Sequence, residues 1–544
     1  MIHRSRRLPR STVLVSLLWT ALAAALAAWA AATATAAGWV FCVAAPFLWI
    51  TGLRAAALWI RAAAPGIRAA APSVHDPLAG AAHRPMDDLR VALLYCVADD
   101  ADPVTIAASA GQDRAVDVVV LDDSRRPEVT LRLAAAAASR GWTVIRRSDR
   151  RGFKAGNLNH GLAVLRGRYD AFVLCDSDVT LPGDFVRRTL PALADPAVAV
   201  VQAQPVARRG DTWFARYFGP LLRTHLAIAR AGRESVGLVA LLGRGALVRA
   251  AAVDDVGGVP EVVAEDLALT VALRRRGWRL VNVDVDFFED YPVDYRSFRV
   301  QMRKTTEGAV EFLRRPRRLR GLPVRERVEL VLETSLIPLT ALAGIGALVS
   351  GAVLASIGTP PPWWALLAAG ASALTPLAPE AVRRARTQRP AAGIAFLTLG
   401  GALYASTMFV VLAAVVRTIS GDRAVFRVTP KHRAPAGWRE VAHMLRPELV
   451  LVPMLVTAPA LAAGSLLFAT APVGPFLAAV AFSVPAALGG PGRRPVPAPA
   501  QLLRSATPRA DFALTGAGRR RIEGVVQMRR RRPAEAGTGV GARA

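Results

Sequence analysis

The sequence predicts an α/β domain set between two groups of membrane-spanning helices, and three observations support this prediction. The 544-residue chain is 53% hydrophobic with a mean hydropathy of +0.32, which is too apolar for an ordinary soluble protein. Long uncharged runs lie towards both ends, and a charged block extends from about Leu89 to Arg327. Within this block, short apolar segments alternate with helical patterns, which is typical of an α/β fold.

The N-terminal apolar residues predict a helical hairpin. Residues 1–10 contain four arginines, and apolar runs follow at 11–37 and 39–60. A secretory signal peptide would have a single, shorter apolar run, so two spans are favoured over a cleaved leader. We therefore expect a basic cytosolic N-terminus, a transmembrane hairpin at 11–60 and a linker at 61–88.

Apolar segments return after the charged block and predict a transmembrane region at 328–490. The candidate spans are 329–356, 363–382, 392–416, 447–466 and 468–489.

The charges between these segments constrain their number. The loop at 417–447 and the tail at 491–544 are basic and should be cytosolic, because positive charge favours the inner side of a membrane. Three candidates precede that loop, so either 363–382 or 392–416 should not cross. We expect six spans in total, a plasma-membrane location, a cytosolic domain at 89–327 and a disordered tail.

The net charge of +28 raises the question of nucleic-acid binding, which we do not expect. The arginines flank apolar runs, and the common nucleic-acid-binding motifs are missing from the sequence. Membrane lipids and an anionic substrate account better for the charge. The three cysteines form no CxxC pair, which suits a reducing compartment. Arginine dominates, and the only lysines are Lys154, Lys304 and Lys431.

The charged block alternates strands with helices and predicts a doubly wound sheet of parallel strands. Ligands bind such sheets beyond the carboxyl ends of the strands. The predicted strands are Val91–Tyr95, Val118–Leu121, Thr143–Arg146 and Ala171–Cys175, and the predicted helices are Leu131–Ser139 and Asn159–Leu165.

Acidic pairs follow two of these strands. Asp122 and Asp123 come directly after one strand and could accept hydrogen bonds from a ligand, or simply form a turn. Asp176 and Asp178 follow the next apolar strand. Alternate residues of an extended segment face the same way, so these two carboxylates could approach one hard cation.

Three further motifs could carry chemistry. Lys154–Gly161 opens a helix with glycines and a lysine, which favours an anion, although an ordinary helix start remains an alternative. Glu265 and Asp266 precede a helical stretch, where a carboxylate could act as a general base or merely stabilise the helix N-terminus. Gln301–Thr305 contains two cations that could bind a phosphate group, or the segment could simply be a solvated helix face.

The order of these motifs resembles the family 2 inverting glycosyltransferases, specifically the membrane-embedded, cellulose-synthase-like group. That group has an Asp, a KAGN-type loop, DxD, TED and QxxRW. The corresponding positions here are Asp122/Asp123, Lys154–Asn157, Asp176–Asp178, Ala264–Asp266 and Gln301–Thr305. Val201–Pro205 and Gly243–Leu247 are also similar to family segments, and Phe426–Lys431 is similar to the FxVTxK gating loop of cellulose synthases.

This resemblance implies a GT-A-like, nucleotide-sugar-binding domain that transfers a hexose with inversion. A UDP-sugar is the favoured donor, and a glycan or a lipid-linked sugar would be the acceptor. The implied nucleotide-sugar ligands are Asp100, Asp122, Asp123, Lys154, Asn157 and Asp176. Asp176 and Asp178 would hold Mg²⁺ or Mn²⁺, and Asp266 would be the catalytic base. The diphosphate and acceptor side would use Glu265, Gln301, Arg303 and Lys304. The gating loop would use Phe426, Val428, Thr429 and Lys431.

Two departures from the family pattern keep the product open. Ala264 replaces the threonine of TED, and QxxRW has Lys304 for its arginine and Thr305 for its tryptophan. In the family, that tryptophan packs on the terminal sugar of the growing chain. A polysaccharide exported through the spans is the favoured product. A non-processive transferase with a lipid-linked acceptor is an alternative, and so is a pore or scaffold with a degenerate transferase domain.

Overall fold

The computed structural model describes residues 10–63, 88–208, 210, 212–234, 237–421, 436–463 and 472–487. The basic N-terminus, most of the linker, the Phe426–Lys431 loop and the C-terminal tail lie outside these residues. The gating role of Phe426, Val428, Thr429 and Lys431 therefore stays a prediction.

Eighteen α-helices and seven strands form the described part of the chain. The helices are α1 (Arg10–Thr33), α2 (Ala36–Ala63), α3 (Pro103–Ala110), α4 (Pro127–Arg140), α5 (Phe153–Val164), α6 (Phe185–Thr189), α7 (Trp213–Glu234), α8 (Ala250–Asp255), α9 (Glu265–Arg275), α10 (Tyr295–Leu313), α11 (Val324–Ser356), α12 (Trp363–Leu374), α13 (Ala378–Thr387), α14 (Pro390–Ser406), α15 (Met408–Ile419), α16 (Trp438–Met444), α17 (Arg446–Ala463) and α18 (Val473–Ala487). The strands are β1 (Val91–Val97), β2 (Asp117–Asp122), β3 (Thr143–Arg146), β4 (Ala171–Asp176), β5 (Val198–Ala207), β6 (Ala246–Arg249) and β7 (Arg279–Glu289).

The strands form one sheet in the order β3-β2-β1-β4-β6-β5-β7. The predicted α/β domain and the apolar helical region are both present, so the predicted fold class is confirmed. The sheet is mixed, however, because β6 pairs antiparallel with both β4 and β5. The reason lies in α7, which leaves the sheet to pack against α2. The chain then returns at the carboxyl edge, so β6 must run back from there.

Both faces of the sheet are buried, which explains the continuous apolar runs in its strands. Successive side chains of β1 alternate between two clusters. Leu93 and Tyr95 belong to one cluster, whereas Ala92 and Leu94 belong to the other. All four are fully buried. Burial of each large side chain contributes about 1.5–3 kcal/mol, so the sheet is a rigid platform for the residues at its edge.

The pairing register brings the strand-ending acids together. Val97 of β1 pairs with Asp122 of β2, and Cys96 pairs with Asp176 of β4. These three strands are parallel, so their carboxyl ends lie side by side. The start of β6 reaches the same edge from the opposite direction, which places the preceding residues, Leu242–Gly245, beside the acids.

The described residues contain five helical segments that are long and apolar enough to cross a membrane, and six if the bent pair α16–α17 counts as one span. The five are Val13–Thr33, Ala36–Ala62, Val324–Ser356, Trp363–Thr387 and Pro390–Ile419. Two of them contain the predicted segments 363–382 and 392–416, one of which the charge pattern had indicated should not cross the membrane. The predicted segment at 468–489 contains a shorter apolar helix, Val473–Val484. The prediction of six spans and a cytosolic domain stays a prediction.

Candidate active site

A cavity of about 580 Å³ lies where the carboxyl edge of the sheet meets α9, α10 and α11. Its volume is in the usual range for a small-molecule site. Ten of the twelve predicted site residues that the structure describes line it: Asp100, Asp123, Lys154, Asn157, Asp176, Asp178, Glu265, Asp266, Gln301 and Lys304. Residues separated by as many as 204 positions therefore converge on one cavity.

Lys154, in the first turn of α5, connects two of the acidic motifs. Its Nζ lies 2.7 Å from Asp176 Oδ1 and 3.4 Å from Glu265 Oε1, and it donates to the carbonyl of Gly243 at 2.9 Å. Burial disfavours the charged form, but the two carboxylates outweigh it and hold the pKa of Lys154 well above its usual value. The lysine is a fixed positive charge in the cavity wall.

Two predicted residues lie outside the cavity. Asp122 is buried, and its carboxylate accepts from Ser124 N at 2.8 Å and Arg146 Nη1 at 3.0 Å. Arg303 pairs with Glu307 one turn along α10, at 2.7 Å. The structure gives both side chains contacts within the fold and does not bring them to the other site residues.

Asp123 faces the cavity, and its negative charge is paired with the guanidinium of Arg147. Arg147 binds it through two nitrogens, Nε at 2.8 Å and Nη2 at 2.7 Å. Nearby, the Asn157 amide donates to Leu121 O at 2.9 Å, which ties α5 to the end of β2. The side-chain oxygen of Asn157, Oδ1, is buried and accepts no hydrogen bond within the described chain. A ligand donor could satisfy it.

The loop before β6 forms the opposite wall. Gly243 has a φ of +74°, a conformation that favours glycine, and an added Cβ would lie 3.4 Å from Lys154 Nζ. Gln202 of β5 holds this loop, because its oxygen accepts from Leu242 N at 2.9 Å and its nitrogen donates to Arg244 O at 3.1 Å. The family-like segments at Val201–Pro205 and Gly243–Leu247 are thus one structural unit.

The first turn of α9 presents two adjacent carboxylates. Asp266 lies beside Gly243, and its Oδ1 accepts from Leu267 N at 2.7 Å. Glu265 is buried behind Asp266, and burial raises the pKa of Glu265 although Lys154 opposes that rise. The two carboxylates therefore have different environments within one turn.

Helix α10 contributes Gln301 and Lys304, one turn apart on the same face. The helix begins at the cap residue Asp294, whose Oδ1 accepts from Ser297 N at 2.8 Å. Burial lowers the pKa of Lys304 below the ordinary lysine value. Thr305, which stands where the family pattern has tryptophan, is exposed at the cavity wall.

The carboxylates suit a metal ion that the substrate helps to bind. Within the described residues, no three acidic, histidine or cysteine side chains converge closely enough to hold an ion alone. Mg²⁺ is commonly held by one or two carboxylates together with substrate phosphates and water. Asp176 and Asp178 line the cavity and could supply that number.

Several cavity residues were not predicted from the sequence. Arg244 forms an ion pair with Glu289 at the end of β7, where Nη2 and Oε1 are 2.9 Å apart. Asp290 follows, and its N–H lies 3.3 Å from Asp178 Oδ2. Acidic residues directly after an apolar strand were the sequence signal for Asp122 and Asp176. Glu289 and Asp290 show the same signal after Phe287 and Phe288. The cavity further reaches Arg233 on α7 and Glu333 on α11.

The chain is similar to known proteins in both sequence and structure. The model of the family described as "Glycosyl transferase family group 2" matches residues 171–379. The glucans biosynthesis glucosyltransferase H of Xylella fastidiosa is 27% identical over 232 residues, which cover 38% of this chain and 36% of that protein. A probable glucomannan 4-beta-mannosyltransferase 3 of Oryza sativa subsp. japonica is 29% identical, covering 39% of this chain and 41% of that protein. The chain thus spans less than half the length of these relatives.

Among solved structures, the chain is similar to the mannosyltransferase PcManGT from Pyrobaculum calidifontis, determined with GDP-Man and Mn²⁺. That match has a TM-score of 0.45 and 20% identity, and covers 68% of this chain and 99% of the other. The family match includes the DxD and TED-like positions and ends beyond the QxxRW-like position. With the ordered motifs converging on one cavity, the family match and the relatives support a family 2 glycosyltransferase of the cellulose-synthase-like kind.

Proposed function

We propose that this protein is a plasma-membrane enzyme that transfers a hexose, with inversion, from a nucleotide sugar to a polysaccharide. A UDP-sugar is the favoured donor, and the product would be exported through the spans. One observation carries the proposal: cations, paired carboxylates and the first-turn aspartate of α9 share one cavity at the junction of the α/β domain and α11. The names of the relatives, which specify glucan and glucomannan synthesis, support a hexose and a polysaccharide acceptor.

The nucleotide would bind at the ends of β1 and β2. Asp100 and Asp123 face the cavity there, and the buried Asn157 oxygen lacks a donor within the described chain. The diphosphate would lie towards Lys154, Lys304 and Arg244, which line the cavity around Asp176. Lysine and arginine side chains neutralise phosphate oxygens by charge-assisted hydrogen bonds.

Asp176 and Asp178 would hold Mg²⁺ or Mn²⁺ against the diphosphate. When bound, the ion supplies positive charge that stabilises the departing nucleoside diphosphate. Lys154 keeps Asp176 in place through their 2.7 Å ion pair. The pairing of Arg244 with Glu289 limits its freedom, so the guanidinium is positioned before the donor arrives.

Asp266 would act as the general base. The acceptor hydroxyl oxygen bonds to the anomeric carbon, the bond from that carbon to the donor phosphate oxygen breaks, and the hydroxyl proton passes to Asp266. A single displacement of this kind inverts the anomeric centre. Gln301 would orient the acceptor opposite Asp266. Glu265 is enclosed with Lys154. It would therefore hold the Lys154 ammonium group in place while Asp266 accepts the proton.

The direct test incubates the purified full chain in detergent with Mn²⁺ and radiolabelled UDP-glucose, UDP-N-acetylglucosamine or GDP-mannose. Polymerisation predicts labelled material of high mass. The absence of tryptophan at Thr305 favours a second candidate, transfer to a lipid-linked acceptor, which predicts label in the organic phase. If no donor is hydrolysed or transferred, the enzyme proposal fails and a pore or scaffold becomes the better interpretation.

A further inference from the structure

The cavity has two ends, and one of them carries side chains that the proposed reaction leaves unused. The helix end is the part lined by α7 and α11, at Leu222, Arg233, Glu333, Thr334 and Ile337. The sheet end is the part at the carboxyl edge of the sheet, beside Asp123. The loop after β3 and the first residue of α5 add Arg150 and Phe153 to the wall of this sheet end. Neither side chain has a part in the diphosphate contacts, the metal site or the proton transfer.

The ring of Phe153 is an open apolar surface at the sheet end. Within the described residues, only two aromatic side chains line the cavity, Phe153 and Tyr291. Tyr291 is 7% exposed and packs on Phe214, with the ring centroids 6.4 Å apart. Phe153 is 39% exposed and belongs to none of the buried apolar clusters of the described chain. A flat ligand that covered this ring would release the water that hydrates it.

The backbone holds Phe153 in a conformation that a bulky residue seldom adopts. Gly152 and Phe153 have φ values of +74° and +49°, so two successive residues are left-handed. Glycine adopts this conformation without strain, whereas a residue with a Cβ does not. Such strain persists only where the surrounding structure enforces it, and it is concentrated at ligand sites.

Arg147 enforces this conformation and connects it to the proposed nucleotide site. Its Nη1 donates to Arg151 O at 2.6 Å, and its Nη2 donates to Phe153 O at 2.9 Å. The same guanidinium binds both carboxylate oxygens of Asp123, at 2.8 and 2.7 Å. The Arg147 side chain is only 6% exposed. One enclosed cation therefore fixes the backbone of Phe153 relative to the carboxylate that faces the cavity.

Arg150 presents a hydrogen-bond donor beside this ring. Its carbonyl accepts from Phe153 N at 3.2 Å, so the two residues share one turn. The Nη2 atom of Arg150 is buried and has no hydrogen-bond partner within the described residues. An unpaired buried donor is costly, and an acceptor on a ligand would remove that cost. The loop thus offers a flat apolar face together with a donor at its edge.

We infer that Phe153 and Arg150 bind the nucleobase of the donor, Phe153 by packing on its face and Arg150 by donating to a carbonyl oxygen on its edge. This inference rests on the proposed function and names the residues that would select the nucleotide. Uracil and guanine offer carbonyl oxygens to an arginine, whereas adenine has no carbonyl oxygen and presents an amino group. The sheet end would therefore favour a UDP-sugar or a GDP-sugar over an ADP-sugar.

Binding to the full chain in detergent with Mn²⁺ tests the inference, using UDP, GDP, ADP and inorganic pyrophosphate as probes. The unmodified chain should bind UDP or GDP more tightly than ADP, and the tighter of the two is then used with the variants. Phe153→Gly should lower the affinity for that nucleotide about tenfold, because packing of a nucleobase on an aromatic ring contributes on this order. The affinity for pyrophosphate should not change, since pyrophosphate has no nucleobase.

Two variants of Phe153 separate binding from folding. Glycine is unstrained at a φ of +49°, so Phe153→Gly without ligand should unfold at the same temperature as the unmodified chain or higher. A merely structural role for the ring predicts a lower unfolding temperature instead. Phe153→Tyr keeps the ring and should retain the affinity for the nucleotide.

Arg150→Met removes the proposed hydrogen bond to the nucleobase. The affinity for UDP or GDP should fall about fivefold, the preference over ADP should narrow, and the affinity for pyrophosphate should stay the same. Arg151→Met is the matched control, because the neighbouring Arg151 side chain is 86% exposed and does not line the cavity. It should leave all these affinities unchanged.

The outcomes separate the inference from the proposed function. Equal losses of nucleotide and pyrophosphate affinity in Phe153→Gly and Arg150→Met would overturn the inference, because both side chains would then act on the diphosphate. Unchanged nucleotide affinity in Phe153→Gly, or equal binding of UDP, GDP and ADP by the unmodified chain, would also overturn it. Failure of the unmodified chain to bind or transfer from any nucleotide sugar would instead refute the proposed function.

Discussion

The two ends of the cavity are built from opposite charge arrangements. At the sheet end, the cation Lys154 lies between the carboxylates of Asp176 and Glu265. At the helix end, the carboxylate of Glu333 lies between the guanidiniums of Arg54 and Arg233. In each case the central group is held by two partners of the opposite sign.

The difference lies in what each end leaves for a ligand. The sheet end gathers its residues from strand ends, loops and the first turns of α5 and α9, and its cations and acids suit a diphosphate with a metal ion. The helix end takes its polar groups from α2, α7 and α11, where Arg54 pairs with both Glu329 and Glu333. The proposed reaction, from an anionic nucleotide sugar to a polysaccharide, would use this difference. Four predictions test how far the contrast holds.

The largest expected effect is at the sheet end. Asp266→Asn removes the base while retaining the size of the side chain, so transfer should fall about 10³-fold. Donor binding should change little, because in the proposed site the diphosphate would contact Lys154 and its neighbours. Initial rates and donor Kd measured on the same preparation provide the check. Equal losses of binding and transfer would mean that Asp266 acts on the donor instead.

At the helix end, Arg54→Met should mainly affect stability. It leaves the carboxylates of Glu329 and Glu333 without their shared partner, and breaking such a buried pair costs about 3 kcal/mol. Arg279→Met is the matched control, because its pair with Asp195 is largely exposed and should cost less than about 1 kcal/mol. Thermal unfolding in detergent measures both. Similar losses would contradict the assigned burial of the helix end.

Asp178→Asn should weaken Mn²⁺-dependent donor binding at least tenfold, because even indirect partners of a bound metal typically contribute about 10- to 100-fold. Asp113→Asn is the control, since Asp113 pairs with Arg187 away from the cavity. Titration calorimetry with and without Mn²⁺ separates the two contributions. Unchanged affinity in Asp178→Asn would remove this residue from the metal site.

The smallest effect concerns pH. Burial lowers the pKa of Lys304, so this lysine loses its charge, and its attraction for the diphosphate, at a lower pH than an ordinary lysine would. Lys304→Arg should keep the charge and extend the alkaline limb of kcat/KM upwards. The gain should be about twofold at the pH equal to the lysine pKa, where half the lysines are neutral.

Arg303→Lys is the control for this measurement. Arg303 pairs with Glu307 outside the cavity, so its replacement should leave the alkaline limb in place. Identical pH profiles for all three proteins would show that Lys304 does not contact the donor.

The sequence predicted the sheet end well because its residues follow strands. Asp123, Asp176 and Asp178 come directly after apolar runs, and the pairing of β1 with β2 and β4 then aligns them. The sequence could not show which of Asp122 and Asp123 faces the cavity. One residue of shift turns a side chain to the other face of a strand, and the buried Asp122 faces Arg146.

The helix end was not predicted because its residues share no local motif. Arg54 and Glu333 are separated by 279 positions, and only the packing of α2 on α11 brings them together. A single charge beside an apolar run is also common at the start of any span. The reversal of β6 was missed for a related reason, since strand direction depends on where α7 takes the chain.

The antiparallel direction of β6 also separates the candidate active site from a surface position that can carry a label. Strand β6 starts at the ligand edge and, at about 3.3 Å per residue over four residues, ends roughly 10 Å away on the far rim of the sheet. Helix α8 begins there, and Asp254 on it is exposed. A fluorescent label attached at that position would follow the enzyme through purification and membrane reconstitution without entering the path of either substrate.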